Sequence, residues 1–293
     1  MSIDNTDPYA SSASEAPNTA ATAVLPEQLP PRISARGIHV GYGDHKVLKG
    51  VDFDLPANEL TVILGPNACG KSTLLKSLAR VLKPTQGDVL LDGQDIHAMN
   101  SKEVARHLGL LPQQSTAPGD ITVADLVARG RYPHQGMMRQ WSEADEIAVE
   151  NALQLAFVAE FADRPVHALS GGQRQRVWIA MVLAQETDIL MLDEPTTYLD
   201  ITHQIEVLDL AARLHAEGCT VLVVLHDLNL AFRYATHVVF MRQGELIAQG
   251  RPADIVTAEL IESVFGLSCS VIDDPASGTP LIVPALSRFA RRR

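Results

Sequence analysis

The stretch Leu64-Gly65-Pro66-Asn67-Ala68-Cys69-Gly70-Lys71-Ser72-Thr73 narrows what this chain can fold into more than any other. It follows the apolar run Leu60–Leu64 and precedes Leu74-Leu75-Lys76-Ser77-Leu78, so a G-x-x-x-x-G-K-S loop is expected between a strand and a helix. Small residues let the backbone wrap closely around a polyphosphate, and the N–H groups of residues 68 to 72 would point at it from a helix N-terminus whose dipole favours anions. Lys71 would reach the β- and γ-phosphates, and the Ser72 hydroxyl would hold Mg²⁺.

The rest of the chain is consistent with a soluble globular protein built around that loop. At 293 residues it can bury a sizeable core, and 46% hydrophobic with 20% charged residues is ordinary for such a protein. A net charge of −11 argues against a nucleic-acid partner, because phosphate neutralisation needs a basic face. Cys69, Cys219 and Cys269 are too scattered for a disulfide framework or for metal-ligand spacing, which fits a reducing compartment. No apolar run approaches the roughly 18 residues of a membrane span, so membrane association would go through a partner or a surface.

Residues 1–31 are rich in Ala, Ser, Thr, Asn and Pro and read as a disordered leader without the layout of an export signal. Order is expected from residue 32, with two short strands, Ile33–Tyr42 and 47–55, joined by a hairpin turn at Gly43-Asp44-His45. Beyond the loop helix come a strand at 88–91, a short helix Ser101–His107, and an apolar strand from Leu108 that ends in Gln113 and Gln114. Helical spacing over 122–129 and 142–157, with a capping box from Ser142 to Asp145, marks an inserted helical subdomain at about 115–180. The segment from Arg131 to Met138 between those helices reads as an exposed connector.

That subdomain ends in Leu169-Ser170-Gly171-Gly172-Gln173, directly before an apolar-faced helix. Ser170 is a natural N-cap, and the two glycines leave the first N–H groups uncovered, which makes a second anion-binding helix end. Ile189-Leu190-Met191-Leu192-Asp193-Glu194 gives an unbroken apolar run followed by two carboxylates, the pattern of a parallel strand buried on both faces. Its acids would emerge at the sheet's carboxyl edge, where Asp193 can hold a metal's water shell and Glu194 can orient an attacking water. A second such strand, residues 220–225, ends in His226-Asp227. A lone histidine there is ordinarily structural; in the same sheet as Asp193 it would face the γ-phosphate. Residues 237–250 read as two strands, 252–265 as one helix, and 285–293 as a basic tail.

With these residues in hand the chain resembles the ATP-binding subunit of an ABC transporter, from about Ile33 to Pro284. The phosphate loop, Gln113, Leu169-Ser170-Gly171-Gly172-Gln173, Leu192-Asp193-Glu194, Thr197-Tyr198-Leu199-Asp200 and His226 match that family's successive elements in order. The resemblance implies an α/β fold: a P-loop NTPase core with a mostly parallel sheet, an N-terminal antiparallel β subdomain and the inserted helical subdomain. It implies ATP and Mg²⁺ as ligands, Tyr42 stacking on adenine, Gln113 sensing the metal and the permease, and His226 contacting γ-phosphate beside Glu194. Ser170 and the glycine N–H groups would bind the γ-phosphate held by an opposite subunit, with Gln173 in the same segment and Asp200 at the dimer interface. The implied partners are a second copy, integral-membrane permease subunits and indirectly a substrate-binding protein, at the cytoplasmic face of the inner membrane. Gly130-Arg131-Tyr132-Pro133-His134-Gln135 and Asp274-Pro275-Ala276-Ser277-Gly278-Thr279-Pro280 resemble the ATPases of ferric-siderophore importers, with cobalamin and haem importers as relatives. Ala68 departs from the pattern, since many members have glycine there; weaker nucleotide affinity at most is expected from it.

Overall fold

The structure is a computed structural model that describes residues 29–43, 45–113, 116–136, 141–197 and 199–285. The leader up to residue 28, the tail from 286, and Asp44, Gln114, Met137, Met138 and Tyr198 lie outside the described residues. The chain opens with β1 (Ile33–Tyr42), β2 (His45–Leu55) and β3 (Leu60–Leu64), then α1 (Lys71–Leu78), β4 (Gln86–Leu91), β5 (Gln94–Asp95), α2 (Ser101–His107) and β6 (Leu108–Leu111). A helical stretch follows: α3 (Val123–Ala128), α4 (Glu143–Leu155) and α5 (Gly171–Leu183). The chain then alternates through β7 (Ile189–Asp193), α6 (Ile201–Ala216), β8 (Thr220–Val224), α7 (Leu228–Tyr234), β9 (His237–Arg242) and β10 (Glu245–Gly250). It closes with α8 (Pro252–Ile255), α9 (Ala258–Phe265), β11 (Cys269–Asp273) and β12 (Pro280–Pro284).

The central sheet has the order β10-β9-β3-β8-β7-β6, in which only β10 runs antiparallel to its neighbour. Every residue of β3, β7 and β8 is buried, as their unbroken apolar runs require of strands covered on both faces. One face packs on α1 and on the antiparallel sheet β2-β1-β4-β5, through Phe53, Leu74, Leu75, Met191 and Val224. The other carries α6, α7 and α9, through Leu208, Phe232, Phe240 and Ile261. A third cluster joins α3, α4 and α5 through Leu126, Leu153, Val177 and Ala180. The expected α/β class, with its antiparallel β portion and helical insertion, is therefore the observed one.

Three local differences have physical reasons. The helix read over 252–265 is broken at Val256 and Thr257, because the Thr257 hydroxyl accepts from the Leu260 N–H at 3.2 Å and starts a new helix there. The hairpin turn gives up His45, which pairs with Tyr42 as the first residue of β2. The connector after α3 is not uniformly exposed. It tightens into a 3₁₀ turn over Arg129–His134, in which Tyr132 is exposed but Arg131 is buried at 4% exposure. The Arg131 guanidinium donates to Asp145 (3.0 Å), to the Ala184 carbonyl (2.7 Å) and to Glu186 (2.7 Å), and these partners offset its desolvation. Asp145 also accepts from the Ser142 hydroxyl at 2.7 Å, so the expected capping box and the buried ion pair share one carboxylate.

Candidate active site

Parallel pairing places the carboxyl ends of β3, β8, β7 and β6 side by side, so the segments leaving those four strands meet at one edge. Those segments carry the phosphate loop, His226, Asp193-Glu194 and Gln113 respectively. A cavity of about 450 Å³ opens there, lined by Asn67, Ala68, Gly70, Lys71, Ser72, Thr73, Gln113, Glu194 and His226, with His45 and Val47 at its side.

The loop's shape follows from its small residues. A Cβ on Gly65 would lie 2.3 Å from the Met241 carbonyl oxygen, so only glycine lets the loop leave β3 this close to β9. Gly70 stands at the α1 N-cap with φ 109° and no side-chain cap bond, so no side chain competes for the helix N-terminus at that position. Lys71 is buried, and its ammonium donates to the Gly65 and Pro66 carbonyls at 2.8 and 3.1 Å. An anion entering the loop can exchange those carbonyls for phosphate oxygens on the same ammonium.

The Cys69 side chain is buried outside the cavity lining, burial pushes its thiol pKa up, and its N–H and carbonyl are bonded to the Pro66 carbonyl and the Gly244 N–H at 3.3 and 2.9 Å. Tyr42 ends β1 with its ring exposed, outside the lining of the cavity. Ala68 has φ 61°, so the residue that departs from the family pattern does sit in the left-handed region. That strain belongs to the folded loop itself. Ala68→Gly is therefore expected to raise stability by up to about 1 kcal/mol while leaving the KM for ATP within about twofold, read by thermal melts and steady-state kinetics.

The acidic end of β7 is electrostatically tight. Asp193 is fully buried, its Oδ1 accepts from the Ser72 hydroxyl at 2.8 Å, and its Oδ2 has no hydrogen-bond partner. Burial pushes the Asp193 carboxyl up, opposed by the Ser72 hydrogen bond. A buried, unsatisfied carboxylate oxygen next to a hydroxyl is a hard-oxygen donor set of the kind Mg²⁺ takes, and the two residues fit that ion. Among the described residues no cluster of three or more His, Cys, Asp or Glu could hold a metal by itself, so the remaining ligands of such an ion would come from phosphate and water.

Glu194 is held on both oxygens. Its Oε1 lies 2.6 Å from His226 Nε2, and its Oε2 accepts from Gln113 Nε2 at 2.8 Å, with the Thr197 hydroxyl at 3.4 Å. Its backbone has φ 54°, a conformation that costs a non-glycine residue on the order of 1 kcal/mol. The sequence pattern marks Thr197 within its segment but not its contact with Glu194, and gives no sign of His45 at the cavity. That contact could have been found from the position of Thr197 three residues after Glu194, whereas His45 needed the β1–β2 register.

The second glycine segment lies elsewhere on the same chain. Ser170 caps α5 in a reciprocal capping box with Gln173. Ser170, Gly171, Gly172 and Gln173 line a separate cavity together with Arg176, Leu199, Asp200 and His203. Asp200 caps α6 and lies 2.7 Å from His203 Nδ1, and these hydrogen bonds hold its carboxyl below the usual range. Within one chain, Ser170 and Asp200 are thus brought to each other but not to Lys71 or Glu194.

The comparisons with known proteins agree with this geometry. The family model for "ABC transporter" matches residues 48–197. The ferric enterobactin transport ATP-binding protein FepC of Escherichia coli (strain K12) is 55% identical over 254 residues, 86% of this chain and 94% of that protein. The petrobactin import ATP-binding protein FpuD of Bacillus anthracis is 52% identical over 253 residues, 86% of this chain and 93% of that protein. Among solved structures, the dimeric structure of a bacterial ABC transporter cassette superposes with a TM-score of 0.68 at 29% identity, covering 75% of this chain and 98% of that one. A phosphate loop facing an acidic strand end, over a chain similar for most of its length to transport ATP-binding proteins, places this protein in the ABC transporter family.

Proposed function

We propose that this chain is the ATP-hydrolysing subunit of an importer for iron(III)–siderophore chelates. The observation that carries the reading is the meeting of Lys71, Ser72, Glu194, His226 and Gln113 in one cavity at the sheet edge, with the buried Asp193 bonded to Ser72 beside it. The siderophore specificity is supported by the names of the relatives above, since no residue of the nucleotide cavity would touch a chelate.

In this reading the N–H groups at the start of α1 and the Lys71 ammonium grip the β- and γ-phosphates. Ser72 and Asp193 would hold Mg²⁺, which when bound neutralises charge building on the phosphate oxygens. Glu194 then orients a water in line with the γ-phosphorus and accepts its proton, while His226, beside it, steadies the γ-phosphate. Tyr42 would move over the adenine ring from its exposed position at the end of β1. Gln113, bonded to Glu194 and on an exposed segment, would report the state of the site to a permease.

A second copy completes the arrangement. Ser170, Gly171, Gly172 and Gln173 of one chain would close on the γ-phosphate held by another, with Asp200 at the seam. The separateness of the two cavities supports this pairing, as does the dimeric form of the similar cassette. No helix among the described residues is long and apolar enough to cross a membrane. The translocation path would lie in integral-membrane permease subunits, with this chain peripheral at the cytoplasmic face of the inner membrane and a substrate-binding protein acting indirectly. The ATPase domain is taken as 32–284, with its helical subdomain at about 115–180.

Deleting the gene and following labelled iron tests the assignment. Uptake of one ferric siderophore should fall to background, with haem and cobalamin use unchanged. Loss of haem or cobalamin uptake with ferric-siderophore uptake intact would overturn it.

A further inference from the structure

The C-terminal hairpin β11–β12 carries the Asp274-Pro275-Ala276-Ser277-Gly278-Thr279-Pro280 turn, and nothing in the nucleotide cavity uses it. It packs on α9 through β11 and, through β12 and the turn, on α7, the helix that begins two residues after His226. The Asn229 amide receives the Ile282 N–H at 2.8 Å and donates to the Ile282 carbonyl at 3.4 Å, pairing with β12 as a strand neighbour would. One turn further, Arg233 donates to Asp274 Oδ2 from Nε at 3.2 Å and from Nη2 at 2.6 Å. Asp274 is itself nearly buried, and its other oxygen accepts from the Ala276 N–H at 2.9 Å, so one carboxylate shapes the turn and holds the guanidinium.

Asn229 and Arg233 are four residues apart, on one stripe of α7. The buried Ala231 and Phe232 seat α7 on the sheet, a contact that resists lifting more than rolling. Two polar clamps one turn apart, both on the hairpin, fix the roll. The Asp227 side chain caps α7 at the Leu230 N–H, so the helix orientation passes directly to the peptide that carries His226. His226 is half-exposed, and its contact with Glu194 is at 2.6 Å.

We propose that the hairpin is a brace for His226, in which Asp274, through Arg233, and Asn229, through Ile282, are positioning residues for the step that His226 and Glu194 carry out. The inference rests on the catalytic reading of those two residues given above. A shift of about 1 Å at the imidazole is enough to cost one to two orders of magnitude in rate.

The test measures phosphate release and MgATP dependence on the purified full chain, in Asp274→Ala, Asn229→Ala, His226→Ala and the Asp274→Ala/His226→Ala pair. The brace predicts about a tenfold loss of kcat in each single hairpin-contact variant with KM within about twofold, and no further loss when Asp274→Ala is added to His226→Ala. Asp274→Asn can keep its one oxygen for the Ala276 N–H only by turning its NH2 toward Arg233, so it should retain the turn and still lose rate as Asp274→Ala does. An equal loss on the His226→Ala background, or a raised KM with kcat intact, would overturn the brace while leaving the catalytic reading in place. Wild-type turnover by His226→Ala would instead remove the catalytic reading and the brace together. If Asp274→Ala does not fold, Asn229→Ala, which leaves the turn intact, carries the same comparison.

Discussion

Glu194→Gln should bind MgATP and release almost no phosphate, with turnover down by about 10²–10⁴-fold. The substitution is nearly isosteric, and the side chain is only 11% exposed, so the cavity keeps its shape. What changes is hydrogen-bond polarity. The carboxylate accepts from Gln113 on one oxygen and lies against His226 on the other, whereas an amide can accept on one side only and must donate on the other. Gln113 can answer by turning its own amide, so the network survives, but the carboxylate that takes the proton from water is gone. Phosphate release measured beside binding of a fluorescent nucleotide separates the two properties. Near wild-type turnover would strip Glu194 of its role.

The largest stability effect is expected away from the nucleotide, at Arg131. Arg131→Ala leaves Asp145 fully buried without its cation and removes the donor to the Ala184 carbonyl, at a cost of about 3–5 kcal/mol. For a domain of this size that lowers Tm by on the order of 10 °C. The pH dependence carries a second signature. The Ser142 hydroxyl, and then Arg131, hold Asp145 down at about 2 against its burial. A depressed carboxylate stabilises fully above its unfolded value near pH 4, and that contribution is lost as pH falls towards 2. Removing Arg131 raises the folded value and narrows that window, so the variant should lose less than wild type between pH 4 and pH 2. Thermal melts across that range read both effects, and a loss below about 1 kcal/mol at neutral pH would show that water replaces the guanidinium.

What could be read from the residues alone tracks how local the physics is. The strand, loop and helix around Lys71, the two-sided burial of β3, β7 and β8, and the caps at Ser142 and Ser170 depend on neighbours a few residues apart. Each left its mark as an apolar run, a glycine or a Ser-x-x-acid/amide spacing. Arg131 looked exposed because its partners, Asp145, Ala184 and Glu186, are 14 to 55 residues away. The break at Thr257 was legible in principle, but an apolar pattern that continues across it outweighed one hydroxyl. At the cavity, Gln113, Glu194 and His226 could be singled out one at a time. Their hydrogen-bonded contact required the strand order β3-β8-β7-β6, which no spacing encodes. That Ser170 lines a different cavity was equally invisible, because it depends on how the folded surfaces are arranged.

The separation of the two cavities has a genetic corollary. If each working centre borrows half of its walls from a neighbouring molecule, a damaged copy disables centres that its healthy mate would otherwise run. Alleles altered at Ser170 or Lys71 should then act dominantly when co-expressed with the intact gene, and two differently damaged alleles could restore a single working centre between them.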